Sequence, residues 1–225
     1  MISIIIPIYN RLELGLKLIK KLGGQLEEQN RLDQTQVICI NDGSTEELEF
    51  EKDIKSACRK YGFEYYTQKN AGGAATCNRG IEKAKGEYFT FLDCDDDITD
   101  EYVKNIFSEL GDGEHLIAFK WRFLSSNEIG DWYHRPDVNH NVWSYLFRTD
   151  YFSQFKFDES LNIAWDYDYV ERSVRSKPDM YIRYAANKVT VIYNDLNQQS
   201  ISKKAYRGEI KERRENGAKN NEAKD

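Results

Sequence analysis

The first hundred residues alternate between short apolar runs and longer polar segments. The runs 2-ISIII-6, 36-QVICI-40, 63-FEYYT-67 and 87-EYFTFL-92 are rich in Ile, Val, Tyr and Phe, which suit a pleated, packed surface, and they predict strands. Helices are predicted between them, near 11–29, 46–60 and 73–85, the last two opening after Ser44-Thr45 and Gly72-Gly73. Strand and helix in repetition predict an α/β fold whose mostly parallel central sheet is flanked by helices. Such a sheet binds ligands at the carboxyl ends of its strands. Polar clusters fall at those ends: Pro7-Ile8-Tyr9-Asn10 after the first strand, Asn41-Asp42-Gly43-Ser44 after the second, and Asp93 to Asp97 after the fourth.

After about residue 113 the pattern changes. Residues 115–124 (HLIAFKWRFL) and 187–193 (NKVTVIY) predict further strands, 141–152 a short amphipathic piece, and 164–175 (AWDYDYVERSVR) a helix. The aromatic residues between 119 and 169, among them Trp121, Trp132, Tyr133, Trp143 and Trp165, predict a second half that completes the core and lines a cleft. The whole reads as one domain over 1–202, with a division near 103, followed by a charged, partly disordered tail over 203–225.

Composition narrows the function classes. The chain carries a net charge of −6, and its last 23 residues contribute +3, so that residues 1–202 carry −9. An acidic body argues against a nucleic-acid groove, which needs a basic stripe to neutralise phosphates. It leaves room for one bound nucleotide, because a metal ion can bridge acid to phosphate. Cys39, Cys58, Cys77 and Cys94 form no CxxC pair, which fits a reducing cytoplasm better than a disulfide framework or zinc site. No apolar run approaches membrane-spanning length, and MISIIIPIYN reads as a first strand rather than a signal peptide. The basic tail leaves peripheral contact with an anionic membrane open, although its interspersed acids favour a solvated segment.

Asp93, Asp95, Asp96 and Asp97 lie within five residues. Like charges this close disfavour ionisation, and a hard cation such as Mg²⁺ or Mn²⁺, shared with a substrate's phosphates, resolves the conflict. The plainer reading is an acidic turn whose Asp96 and Asp97 lead into a helix beginning near Thr99. The NDGST segment is turn chemistry too, with Ser44 or Thr45 as a helix cap.

Taken in order, IIIPIYN, INDGSTEE and KNAGGAATCNRGIEKAKGEYFTFLDCDDD resemble the nucleotide-binding half of glycosyltransferase family 2, inverting enzymes of the A-type glycosyltransferase fold. A weaker likeness to that family's acceptor-side half continues through 143-WSYLFRTDYF-152, 157-FDESL-161, 164-AWDYDYVERSV-174 and 193-YNDLNQQSIS-202. The resemblance implies a nucleotide-sugar donor, commonly a UDP-sugar, and transfer of the sugar to an acceptor hydroxyl of a glycan, lipid-linked sugar, protein or small molecule. It implies that Pro7, Tyr9 and Asn10 line the nucleoside pocket, that Asp42 accepts a hydrogen bond from the base, and that Asn70 and Gly72 approach the nucleoside and diphosphate. Asp93 and Asp95 match the family's DxD, with Asp93 toward the ribose or a metal-bound water and Asp95 on the metal.

The acceptor hydroxyl needs a base to take its proton. The resemblance implies Asp166, in the pair Trp165-Asp166, where relatives carry an acid in place of the tryptophan. Asp168 lies two helical residues further, about 200° around the helix. Two departures concern charge. Cys77 stands where many relatives have Arg, leaving Arg79 as a substitute, and Asn197 or Gln198 stands near the place of a His. His115 is expected at a strand margin, and His134 and His140 in a surface loop. Two other readings stay open: a catalytically inactive donor-binding module, and a sugar-phosphate nucleotidyltransferase, against which 7-PIYNRLELG-15 speaks by being neither Gly-rich nor basic.

Overall fold

A computed structural model of the chain describes residues 1–111, 113–130 and 141–197. The predicted places of Trp132, Tyr133, His134, His140, Gln198 and the 203–225 tail lie outside the described residues.

Strand β1 (Ile2–Ile8) occupies the middle of a parallel group, pairing with β2 (Thr35–Asn41) on one side and β4 (Tyr88–Phe91) on the other; β3 (Glu64–Thr67) extends the group beyond β2. Its uninterrupted isoleucines follow from that position, because a central parallel strand is covered on both faces, and Ile2, Ile4, Ile5, Ile6 and Ile8 are all buried. Helices α1 (Leu12–Glu28), α2 (Glu51–Tyr61) and α3 (Gly73–Lys83) supply the cover. In α1, Leu12, Leu16, Ile19, Leu22 and Leu26 repeat at helical spacing and form the buried stripe. Gly80 lets α3 approach β1 closely, since a Cβ there would stand 2.3 Å from Ile5 Cγ2.

The second half continues the same sheet in mixed directions. After β5 (Asp97–Ile98) and α4 (Tyr102–Ser108) come β6 (Leu116–Phe123), β7 (Ile129–Gly130), β8 (Tyr145–Arg148), the short helix α5 (Thr149–Phe152), α6 (Trp165–Arg175) and β9 (Ile182–Tyr193). The strand order is β3-β2-β1-β4-β8-β6-β9-β5, with β7 paired to β6. Phe89, Phe91, Phe147, Phe157 and Tyr169 form a continuous ring-to-ring core under the β4–β8 junction, joining the two halves. Among the described residues no helix is long and apolar enough to cross a membrane.

Four local expectations are corrected. Asp97 does not lead into a helix near Thr99: Asp97–Ile98 is a two-residue strand antiparallel to β9, and the next helix starts at Tyr102. The 46–60 helix begins at Glu51, because Glu47 is left-handed and a 3₁₀ turn over Leu48–Phe50 intervenes, so neither Ser44 nor Thr45 caps it. The 141–152 piece contains strand β8, and β9 starts at Ile182 rather than near 187.

Candidate active site

Parallel β1, β2 and β4 end at one edge, and their following segments converge there. After β1, Asn10 adopts φ 48°, and its side-chain oxygen accepts from Thr45 N (2.7 Å) and Glu46 N (3.2 Å) while its own N–H donates to Ser44 Oγ (3.0 Å). The NDGS turn is therefore stitched to the first strand's exit, which is the work Ser44 and Thr45 do instead of capping. Tyr9 beside it presents a half-exposed ring, and Pro7 is partly buried.

Asp42 is buried and accepts four hydrogen bonds. Oδ1 receives Gln68 Nε2 (2.7 Å) and Ala71 N (2.8 Å); Oδ2 receives Asn70 Nδ2 (3.2 Å) and Gly72 N (2.9 Å). Its carboxylate thereby holds the exposed 70–72 loop in place, with Gly43 at φ +68° passing so close that a Cβ would meet Asn70 N at 2.7 Å. Asn70 and Gly72 are thereby brought to Asp42, and both of its carboxylate oxygens are engaged within the protein.

Beyond β4, Asp93 and Asp95 are partly buried and Asp96 is buried. Burial, then the charges of Asp95 and Asp166, push the Asp93 carboxyl up to about 7. Burial also lifts Asp166 to about 6, opposed by the hydrogen bond its Oδ1 accepts from Tyr167 N (2.9 Å). Asp96 is raised well above the usual carboxylate range by burial and then by Asp93, and its Oδ2 is buried without a hydrogen-bond partner among the described residues. No lysine or arginine forms an ion pair with Asp93, Asp95, Asp96 or Asp166 among the described residues: nearby Lys21 goes to Asp97, and Arg172 to Asp168. The latter pairing commits Asp168 to its own helix.

Asp166 enters this group from the first turn of α6, which follows Ala164 in the left-handed region at φ 57°. Trp165 packs edge-on against Phe157 and reaches over the start of α3, where a Cβ on Gly73 would lie 3.0 Å from its Cζ2. Cys77, one turn into α3, is buried, and its thiol is raised by burial and then by the charges of Asp93, Asp166 and Asp42. Arg79, two residues further along α3, is engaged with the end of β3. Its guanidinium donates to Thr67 O and Gln68 Oε1 and lies over the Tyr66 ring.

Asn194, Asn78 and Gln68 escaped the sequence reading, whereas Asn197, singled out there, does reach the acidic turn. Asn194 donates its backbone N–H to Asp96 Oδ1 (2.8 Å) and its side chain to Asp95 O (3.0 Å), and Asn197 Nδ2 donates to Asp95 Oδ2, so the end of β9 straps the acidic turn. Asn78 bonds Phe157 N, Phe157 O and Glu159, tying α3 to the segment before α6. Gln68 could have been found from its place just after β3, at the same sheet edge; it carries no charge and was passed over. His115 does sit at a strand margin, accepting from Tyr181 N.

The family model described as glycosyl transferase family 2 matches residues 3–173, and the chain belongs to that family. Among curated proteins, a glycosyltransferase of Rickettsia bellii is 38% identical over 96 residues, covering 42% of this chain and 13% of its own length. The crystal structure of S. aureus TarS in complex with UDP-GlcNAc superposes with a TM-score of 0.73 at 19% identity, covering 89% of this chain and 60% of that one. A mannosyltransferase from Pyrobaculum calidifontis in complex with GDP-Man and Mn²⁺ superposes with a TM-score of 0.59 at 16% identity, over 84% of this chain and 55% of that one. The fold is thus the A-type glycosyltransferase fold, and the chain spans only part of the length of the proteins it matches.

Proposed function

We propose that the chain is a metal-dependent, inverting glycosyltransferase that moves a sugar from a nucleotide-sugar donor, a UDP-sugar first among candidates, to an acceptor hydroxyl. The observation that carries this reading is the placement of Asp93, Asp95 and Asp96, buried or partly buried, just past the end of β4, with Asp166 at the start of α6 and no basic ion-pair partner for any of them among the described residues. Residues 1–103 would hold the donor and 104–202 face the acceptor, with Pro7, Tyr9, Asn10, Asp42, Asn70 and Gly72 around the nucleoside and diphosphate.

The donor set fits a hard divalent ion. Among the described residues no three His, Cys, Asp or Glu side chains converge closely enough to hold a metal by themselves. Mg²⁺ and Mn²⁺ need no such cage when they bind through one or two carboxylates and substrate phosphates. Asp95 would be the ligand and Asp93 its neighbour toward the ribose or a coordinated water. When bound, such an ion supplies charge compensation for the departing diphosphate.

The remaining chemistry belongs to the chain's own groups. Asp166, lifted to about 6, is ionised at neutral pH yet basic enough to accept a proton from an acceptor hydroxyl. As that proton moves to Asp166, the acceptor oxygen bonds to C1 and the C1–O bond to the diphosphate breaks, the electron pair leaving with the diphosphate. One displacement inverts C1, unlike the two-carboxylate hydrolases, in which an acid protonates the leaving oxygen. The test is incubation of purified protein with sugar nucleotides and Mn²⁺, reading release of free nucleoside diphosphate. Asp166→Asn should abolish release while retaining donor binding; binding without turnover in the wild type, across donors and acceptors, would favour a binding module instead.

A further inference from the structure

We infer that Gln68 and Arg79 form a positioning relay that sets the Asp42 carboxylate and, through it, the 70–72 loop for nucleoside diphosphate binding. The inference rests on the donor-site reading above but concerns residues that reading does not use.

The connections run without a gap. Arg79 Nη1 donates to Thr67 O (3.0 Å) and to Gln68 Oε1 (2.8 Å). With its oxygen engaged by a cation, the Gln68 amide can present only its NH₂ on the other side, and that group donates to Asp42 Oδ1 (2.7 Å) and Thr76 Oγ1 (3.0 Å). Thr76 Oγ1 in turn donates to Gly72 O (2.8 Å), while Asp42 receives the Ala71 and Gly72 N–H groups. The Gln68 backbone is fixed as well, its N–H donating to Asn41 O at 3.0 Å. Thus the loop is held from two sides, by its amides on Asp42 and by its carbonyl on Thr76, and Gln68 touches both anchors.

The direction of the amide is what matters. An amide turned the other way would set Oε1 against Asp42 Oδ1, acceptor facing acceptor, and would lose the bond from Arg79. Arg79 therefore supplies orientation and Gln68 supplies the donor. Residues 70–72 are exposed, so the loop's shape depends on these anchors rather than on packing. A ligand approaching the loop meets a backbone whose shape these anchors have already set, which is the preorganisation that lowers the cost of binding.

Three variants separate this role from mere space filling. Gln68→Met keeps volume and removes both bonds; Gln68→Glu keeps the acceptor for Arg79 but turns the donor toward Asp42 into a repelling oxygen; Arg79→Met frees the amide to turn. Two readouts are taken for each folded variant: hydrogen exchange of the 70–73 amides without ligand, and binding of UDP, GDP, CDP and dTDP with Mn²⁺ by calorimetry. Faster exchange and a loss of affinity of about tenfold for Gln68→Met and Gln68→Glu, with a smaller loss for Arg79→Met, is expected for removing a hydrogen bond to a charged group. A Gln68→Glu protein that matches wild type in both readouts overturns the relay, as does unchanged exchange in Gln68→Met. If the wild type binds no nucleoside diphosphate, the donor-site reading fails, and exchange at 70–73 alone still decides whether the relay holds the loop.

Discussion

Asp166→Asn should make the protein more stable above about pH 6, with the gain fading as pH falls toward 4. Burial raises the Asp166 carboxyl from the ordinary 3.8 to about 6. Between those values the folded state binds more protons than the unfolded one, so stability from this group falls as pH rises through the interval and the loss is complete above about pH 6. At 1.36 kcal/mol per pKa unit the ceiling is about 3 kcal/mol, and about 2 is expected because part of the side chain still meets solvent. Asparagine keeps an oxygen for Tyr167 N and removes the charge. It also relieves Asp93, whose elevation owes part of its size to Asp166. For a protein of this size the gain corresponds to roughly 4 to 8 °C in Tm at about pH 8, fading to nothing near pH 4. Thermal unfolding of both proteins across that range, with chelator present, reads it directly. Two curves separated by a constant gap, or a variant less stable at high pH, would refute the claim that Asp166 is held as a destabilised anion.

Asp95→Ala should weaken Mn²⁺-dependent donor binding by at least about a hundredfold, beyond what losing an outer partner of a metal costs, as measured by calorimetry. Asp97→Ala should leave donor binding unchanged and cost under about 1 kcal/mol in denaturant unfolding, because its contact with Lys21 is a surface ion pair. Gly43→Ala should cost about 1 to 3 kcal/mol of stability, since φ is +68° and the new Cβ would meet the Asn70 backbone at 2.7 Å. Gly73→Ala should leave Tm nearly unchanged but lower kcat about tenfold or more, because the Cβ, 3.0 Å from Trp165 Cζ2, would displace the residue preceding Asp166.

The first half of the chain is legible because its signals are local. Ile4, Ile5 and Ile6 in β1 and the Leu12–Leu16–Ile19 stripe of α1 carry their periods within a few residues, and the polar exits of β1, β2 and β4 follow from strand direction. What the sequence hid depends on partners far along the chain. Asp97–Ile98 becomes a strand only because β9 lies beside it almost a hundred residues later, and the same neighbour leaves Asp96 buried against Asn194. Strand β8 is four residues between a 3₁₀ turn and a helix, too short to show a period of two. The early start of β9 runs through Arg183 and Tyr184, without the apolar run of a central strand. Likewise, Ser44 looked like a cap because its true partner, Asn10, sits on another strand's exit. The resemblance implies a base contact for Asp42, whereas its hydrogen bonds from Gln68, Asn70, Ala71 and Gly72 depend on residues that only the fold brings to it.

If the acidic edge holds a nucleotide sugar through a divalent ion and Asp166 takes the acceptor's proton, free nucleoside diphosphate release from a panel of sugar nucleotides, followed with and without Mn²⁺ for wild type and Asp166→Asn, has a definite outcome. The wild type should show Mn²⁺-dependent release with at least one donor, and Asp166→Asn full donor affinity without release. Release that persists undiminished in Asp166→Asn, or a wild type that neither binds nor consumes any donor with Mn²⁺ present, would contradict that assignment.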